Sequence, residues 1–122
     1  MQPEKFSIRS RIKSFSYALA GLRRFVIREH NARIHLAATI GVIIVALVVG
    51  VTRTEAAILA IVTGLVWVAE ILNTCIERLA DHITKERHPG IGIIKDLAAA
   101  AVLTAAITAV IVALFIFIPK II

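Results

Sequence analysis

The chain has 122 residues, of which 59% are hydrophobic, and it carries a net charge of +6. Water-soluble domains are usually about 45–50% apolar, so this composition excludes an ordinary soluble domain and indicates a membrane protein. The positive charge does not indicate a partner nucleic acid, because aromatic residues are scarce and the basic residues flank long apolar segments. At this length we expect a single domain over residues 1–122.

The first element is predicted to be an amphipathic helix over residues 6–30. Its apolar residues recur every three or four positions, which places them on one helical face: Ile8, Ile12, Phe15, Leu19, Leu22 and Val26. Basic residues lie away from that face, as in helices that lie in the interface of a membrane. No apolar run followed by a cleavage signal occurs in this segment, so we expect no cleaved signal peptide here.

Three later segments, 34–51, 56–80 and 96–118, are long and apolar enough to span a bilayer, which takes about 20 residues. Each is predicted to be a helix, because irregular backbone cannot face lipid. The short connection Thr52–Glu55 predicts an antiparallel hairpin of the first two spans. The longer polar connection over about 81–96 contains Pro89, Gly90 and Gly92, which are expected to supply its turn. The predicted fold class is therefore all-α, with three transmembrane helices after an interfacial helix.

The orientation follows from the lysine and arginine residues, which accumulate on the cytoplasmic side of membrane proteins. Twelve of the fourteen lie before the first span or around the second connection, and only Arg53 and Lys120 lie on the other side. The N-terminus and the second connection are therefore predicted to be cytoplasmic, and the C-terminus is predicted to lie outside.

The stretch EILNTCIERLAD, residues 70–81, continues the second span without a break. Glu70, Asn73, Glu77 and Asp81 are spaced by three or four residues, so they form one polar stripe of a helix. Ionisable residues inside a span are costly and indicate a functional site. Seven residues separate the two glutamates, which is roughly 10 Å along the helix axis. Glu70 is therefore the deeper carboxylate, suited to accept a proton, and Glu77 is better placed to bind a cation.

The starts of the other two spans bring more charge to the same predicted cytoplasmic plane. Glu29 and Arg33 precede the first span, and Lys95 and Asp96 precede the third. Carboxylates with a lysine suit Mg²⁺ and nucleotide phosphates, because Mg²⁺ takes one or two carboxylates together with phosphate oxygens. The residues themselves indicate a membrane protein with a cation-binding acidic site. A phosphotransferase, an ion-coupled transporter subunit and an assembly factor without chemistry all remain open at this point. The charges concentrate on one face, and the first and third spans have none inside, which disfavours a transporter.

Two further polar residues have less specific interpretations. His35 has no matching set of histidines and cysteines, so we expect a polar residue at the membrane interface rather than a metal ligand. Cys75 is the single cysteine, which excludes an internal disulfide, and it is expected to be a small core residue.

The motifs of residues 11–106 resemble the bacterial diacylglycerol kinase and undecaprenol kinase family. EILNTCIERLAD is similar to the family pattern E-[IL]-[IL]-N-[ST]-A-I-E-x-x-x-D, and IIKDLAAAAVL is similar to its later K-D-x-A-A element. Upstream, SFSYALAGLRRFVIREHNARIH resembles S-F-x-Y-A-x-x-G followed by E-x-N-x-R-I-H. The second connection departs from the family, because Gly90-Ile91-Gly92 stands where members often have a lysine.

The resemblance implies a small homotrimeric kinase of the bacterial plasma membrane, with sites shared between subunits. Such an enzyme transfers the γ-phosphoryl group of ATP, bound with Mg²⁺, to a lipid alcohol at the cytoplasmic face. It implies Glu70 as the general base, and Glu29 and Glu77 as the Mg²⁺ ligands. The other implied site residues are the active-site polar groups Asn73, Asp81, Lys95 and Asp96, with Arg33 at the substrate or at an interface.

The acceptor implied by the resemblance is undecaprenol, because the segment EHNARIH is more similar to members from Gram-positive bacteria. Diacylglycerol is the alternative acceptor.

Overall fold

The computed structural model describes residue 3 and residues 5–122, and within them it contains four α-helices and no strand. The helices are α1 (Ile8–Arg28), α2 (His30–Val49), α3 (Arg53–Ile83) and α4 (Pro89–Ile121). The last three are long and apolar enough to cross a membrane. The predicted all-α class and the three spans are therefore confirmed, and each span is a longer or shifted version of the segment expected from hydropathy.

Helix α1 is separated from α2 by a single residue. Ser7 caps the start of α1, where its side chain accepts a hydrogen bond from the Ser10 amide. Glu29 has an extended backbone (φ −99°, ψ 125°) and ends α1 while it begins α2. The Arg33 guanidinium donates to the Ile27 carbonyl across this break at 2.6 Å. The structure thus contains the helix expected in this region, and its location in the membrane interface stays a prediction.

Helices α2 and α3 form the predicted antiparallel hairpin. The chain leaves α2 through Gly50, whose φ of 75° favours glycine. Thr52 and Glu55 then form a capping box, in which the side chain of each accepts a hydrogen bond from the backbone of the other. Because this box begins a helix, α3 starts at Arg53, and the connection is residues 50–52 rather than the whole TRTE segment.

Helix α4 begins earlier than expected, which corrects one prediction. Pro89 occupies the first turn of α4, where a missing N–H is harmless, and the His88 side chain accepts from the Gly90 amide at 3.1 Å. Gly90 and Gly92 therefore lie in the helix and do not supply the turn. The connection between α3 and α4 is only residues 84–88.

The closest helix packing is between α3 and α4. One ion pair joins them at each end: Lys95 Nζ lies 2.7 Å from Asp81 Oδ1, and Lys120 Nζ lies 3.0 Å from Glu55 Oε1. These two pairs fix the helices as antiparallel.

Few side chains are buried within the single chain. The buried apolar residues are Phe25, Ala32, Leu59, Val62, Val66, Ala80 and Ala98, whereas large apolar side chains along all four helices are exposed. Exposed apolar surface of this extent suits helices that face lipid or neighbouring helices. Over residue 3 and residues 5–122, Glu70 and Asn73 are the two buried polar residues, and both belong to the polar stripe of α3.

Candidate active site

Burial divides the polar stripe of α3 into two halves. Glu70 and Asn73 are 4% and 7% exposed, whereas Glu77 and Asp81 are exposed. The stripe thus passes from a buried carboxylate to a solvent-accessible one over two helical turns. The gradient runs in the same direction as the depth order inferred from the spacing of the two glutamates, and their depth in the membrane stays a prediction.

Glu70 contacts α2 through His35. His35 Nε2 lies 2.8 Å from Glu70 Oε1, and the His35 side chain is 19% exposed. The second carboxylate oxygen, Oε2, is buried and has no hydrogen-bond partner among the described residues. A carboxylate can accept hydrogen bonds at both oxygens. Glu70 therefore keeps one occupied oxygen and one buried oxygen with free lone pairs.

A second hydrogen bond between α2 and α3 lies one helical turn from the first. The Trp67 indole donates to Thr39 Oγ1 at 2.9 Å, and the Thr39 hydroxyl donates to the His35 carbonyl at 2.7 Å. The Phe25 ring of α1 packs edge-on against Trp67, with 6.0 Å between ring centroids. These contacts hold the C-terminal end of α1 and the first half of α2 against the part of α3 that carries Glu70.

Asn73 connects the buried half of the stripe to the exposed half. Its amide nitrogen donates to Glu77 Oε1 at 3.3 Å. Its carbonyl oxygen, Oδ1, is buried and has no hydrogen-bond partner in the described part of the chain. With Glu70 Oε2, this gives two buried acceptor oxygens without partners on residues that follow each other on one helix face.

Lys95 reaches the same stripe from α4. Its ammonium group binds Asp81 at 2.7 Å, and both side chains are partly accessible to solvent. The lysine that the sequence assigned to the site is therefore held next to the exposed end of the stripe. Because it is accessible, its charge is available to an incoming anion.

The other expected site residues are not brought together with the stripe within one chain. Glu29 forms an ion pair with Arg78, the residue after Glu77, so it lies at the level of Glu77 but contacts a different side chain. Arg33 and Asp96 are exposed, and the described contact of the Arg33 side chain is with the Ile27 carbonyl. The roles of these three residues stay predictions.

Oxygen atoms where the buried and exposed halves of the stripe meet fit a hard cation such as Mg²⁺. The described residues contain no cluster of three or more His, Cys, Asp or Glu side chains suited to hold a metal ion. Mg²⁺ does not require such a cluster when a nucleotide is present, because it binds one or two carboxylates with phosphate oxygens and water. Glu77 offers an exposed carboxylate, and Asn73 Oδ1 offers a buried carbonyl oxygen without a partner.

His35 is the site residue that sequence reasoning missed. It was expected to be a polar interface residue, whereas the structure places it against the most deeply buried carboxylate. The feature that could have indicated His35 is its location five residues after the start of α2, at the level where the antiparallel hairpin brings α3 back to Glu70. The expectation for Cys75 was also wrong: the residue is exposed and lines a groove between α1 and α3.

Together these features define a class of protein, a small α-helical membrane protein with a buried carboxylate and an accessible lysine at one end of its helices. Residues 16–117 match the model of the prokaryotic diacylglycerol kinase family. Since the match covers most of the sequence, the chain belongs to the prokaryotic diacylglycerol kinase family.

Individual relatives agree with this assignment. The undecaprenol kinase of Bacillus subtilis is 37% identical over 108 residues, which cover 88% of each chain. A diacylglycerol kinase of Synechocystis is 40% identical over 100 residues, which cover 81% of this chain and 57% of the longer relative. The diacylglycerol kinase of Escherichia coli K12 is 37% identical over 100 residues, which cover 82% of each chain. The chain is thus similar at about the same level to proteins with two different lipid acceptors in their names.

Proposed function

We propose that this protein transfers the γ-phosphoryl group of ATP to the hydroxyl of a membrane lipid alcohol, with undecaprenol as the acceptor and undecaprenyl phosphate as the product. The observation that carries this proposal is the buried carboxylate of Glu70, whose Oε2 has no partner among the described residues. A lipid alcohol keeps its hydrocarbon chain in the bilayer, so its hydroxyl reaches the protein near the end of the spans. Glu70 lies where the apolar part of α3 gives way to its polar stripe.

Glu70 acts as the general base in this proposal. The hydroxyl proton of the acceptor passes to Glu70 Oε2 while the hydroxyl oxygen forms its bond to the γ-phosphorus. The bond between that phosphorus and the β–γ bridging oxygen breaks, and ADP leaves with the electron pair. A positioned base contributes about 10²–10⁴-fold to such a step. Burial at 4% exposure keeps water away from Oε2 and favours the lipid hydroxyl as acceptor.

Asn73 and Glu77 are proposed to face the phosphate chain of the nucleotide. Glu77 and Glu29 would hold Mg²⁺, which supplies charge neutralisation when it is bound with ATP. Asn73 donates to Glu77 Oε1, and this contact orients the carboxylate. Glu29 can serve the metal only after its pairing with Arg78 changes. That exchange would accompany nucleotide binding.

Lys95 is proposed to bind phosphate oxygens of ATP. In the structure its ammonium is paired with Asp81. An ion pair between partly exposed groups contributes only about 0–1 kcal/mol, so a polyphosphate can replace Asp81 at little cost. Asp81 and Asp96, the residue after Lys95, are then proposed as polar contacts on the nucleotide side of the site.

The active enzyme is proposed to be a homotrimer with sites shared between subunits. A groove of about 620 Å³ lies between α3 and α4 and includes Asn73 in its lining. Its α4 wall consists of small residues: Ala98, Ala101, Thr104, Ala105 and Thr108. Small residues allow close approach of another helix in a membrane. A helix of a neighbouring subunit in this groove would close the site next to Asn73.

The proposed topology places the site at the cytoplasmic face, where ATP is available. The polar stripe lies at the C-terminal end of α3, and Lys95 lies near the start of α4. The basic residues around residues 84–88 favour the cytoplasmic side. Helix α1, with its exposed apolar face, would lie in the interface beside this site. The N-terminus would be cytoplasmic and the C-terminus outside, in a bacterial plasma membrane.

A direct assay tests the proposed function. Purified protein in mixed micelles is incubated with labelled MgATP and either undecaprenol or diacylglycerol, and the lipid extract is separated. We expect labelled undecaprenyl phosphate, formed at a higher kcat/KM than phosphatidic acid. Diacylglycerol is the second candidate because relatives of similar identity are named for it. A higher kcat/KM for diacylglycerol would reverse the acceptor, and no labelled lipid from either alcohol would refute the kinase proposal.

A further inference from the structure

We propose that His35 is a positioning residue for Glu70: its imidazole holds Glu70 Oε1 so that Oε2 alone faces the acceptor hydroxyl. This inference rests on the proposed function, because it requires Glu70 to act as the base. It assigns a task to a side chain of α2 that neither the sequence motif of α3 nor the comparisons place in the reaction.

The contact between the two residues distinguishes the oxygens of the carboxylate. His35 Nε2 lies 2.8 Å from Oε1, whereas Oε2 is buried without a hydrogen-bond partner in the described residues. When Glu70 is ionised it can only accept, so Nε2 must carry a proton and donate to Oε1. The carboxylate can then no longer rotate freely, and its proton-accepting oxygen has a fixed direction.

The backbone of His35 is tied to a second connection between the same helices. Thr39 lies one turn after His35 on α2, and Trp67 lies one turn before Glu70 on α3. The Trp67 indole donates to Thr39, and Thr39 donates to the His35 carbonyl. Two contacts one turn apart on both helices fix the register of α2 against α3. Neighbouring contacts of this kind support a side chain that holds a reacting group in place.

A purely structural role for His35 makes different predictions from a positioning role. If His35 only joined α2 to α3, its loss would act through stability, and breaking the Thr39–Trp67 contact would have a similar effect. If His35 positions Glu70, its loss lowers kcat while binding of MgATP is retained. A misplacement of a reacting group by 1 Å can reduce the rate by about 10²-fold.

The test compares substitutions of His35 that differ in donor and reach. His35→Leu removes the donor, and His35→Asn keeps a polar group but is too short to reach Glu70. His35→Gln places an amide N–H near the location of Nε2. We expect kcat to fall by roughly 10²-fold in the Leu and Asn variants, with KM for MgATP within about twofold of wild type. The Gln variant is expected to recover most of kcat.

Thr39→Val is the matched control, because it breaks the contact with Trp67 but keeps the imidazole. We expect a smaller loss of kcat than in His35→Leu. Size-exclusion chromatography in detergent checks that each variant is folded, and the Asn and Gln variants carry the test if the Leu variant is not.

The outcomes separate this inference from the proposed function. An inactive wild type, or an active Glu70→Gln variant, would refute the proposed function or the base assignment irrespective of His35. With an active wild type and an inactive Glu70→Gln, the positioning role is overturned by any of three results. These are near-normal kcat in His35→Asn, no recovery in His35→Gln, or an equal loss in Thr39→Val.

Discussion

Replacement of Glu70 by glutamine tests the proposed base with little change to the surrounding structure. Glutamine has almost the same shape, and its carbonyl oxygen can still accept from His35 Nε2, where Oε1 now lies 2.8 Å away. The amide nitrogen would occupy the location of Oε2, which is buried and has no partner among the described residues. An amide cannot accept the hydroxyl proton. The substitution therefore removes the proton acceptor and retains the contact with α2.

The expected loss follows from the contribution of a positioned general base. Removing it should lower kcat by about 10²–10⁴-fold, which corresponds to about 2.7–5.4 kcal/mol of transition-state stabilisation at 1.36 kcal/mol per factor of ten. The KM for MgATP should stay close to the wild-type value, because Glu70 is proposed to act on the acceptor and not on the nucleotide. The assay is the initial rate of lipid phosphorylation at saturating MgATP, with nucleotide binding measured separately.

Glu55→Gln provides the matched control for Glu70→Gln. Glu55 is a glutamate at the opposite end of α3, where it caps the helix and pairs with Lys120 at 3.0 Å. Glutamine also suits a capping box, so this variant should retain wild-type kcat. Normal turnover in Glu70→Gln, or an equal loss in Glu55→Gln, would refute the assignment of Glu70 as the base.

Three further predictions concern the metal, the nucleotide and the topology. Glu77→Gln should raise the Mg²⁺ concentration needed for half-maximal activity by about tenfold or more, and an unchanged Mg²⁺ titration would remove Glu77 from the metal site. Lys95→Met should raise the KM for MgATP more than it changes the KM for the lipid, as steady-state kinetics with each substrate varied would show; the reverse pattern would contradict phosphate binding by Lys95. In a Cys75→Ala background, a membrane-impermeant thiol reagent should label Glu86→Cys only in inverted vesicles and Ile122→Cys only in intact spheroplasts, and the opposite pattern would reverse the orientation.

Much of the fold follows from the sequence because a bilayer leaves few alternatives to a helix. The three long apolar segments had to be helices, and the short connection at Thr52 had to return the chain antiparallel to α2. The start of α4 could not be derived in the same way. Pro89, Gly90 and Gly92 are typical of turns, but proline also favours the first turn of a helix. The cap from His88 to the Gly90 amide decides between these alternatives, and such a local contact has no clear signature in composition.

The candidate site was predictable where its residues lie on one helix and less so where it depends on two. The stripe from Glu70 to Asp81 follows from spacing alone, and the structure divides it into a buried and an exposed half. The contact of His35 with Glu70 joins residues 35 positions apart. Its prediction requires the exact register of α2 on α3, which the length of the connection constrains only to within a turn. The pairing of Glu29 with Arg78 depends on the break between α1 and α2 for the same reason.

Two buried oxygens that have no hydrogen-bond partner within the described part of the chain indicate why the stripe begins where it does. Glu70 Oε2 and Asn73 Oδ1 lie on adjacent turns of α3, and each unsatisfied buried polar group costs about 1–3 kcal/mol. Apolar residues at both positions would avoid that cost and would suit a helix in lipid. A site that must accept a proton from a lipid hydroxyl next to a bound nucleotide needs free lone pairs in a region from which water is excluded. In the proposed mechanism the substrates satisfy both oxygens when they bind. The substitution Asn73→Leu should therefore leave the folded protein at least as stable as the wild type, while it abolishes turnover. A thermal unfolding midpoint well below that of the wild type, measured in the same detergent, would contradict this explanation.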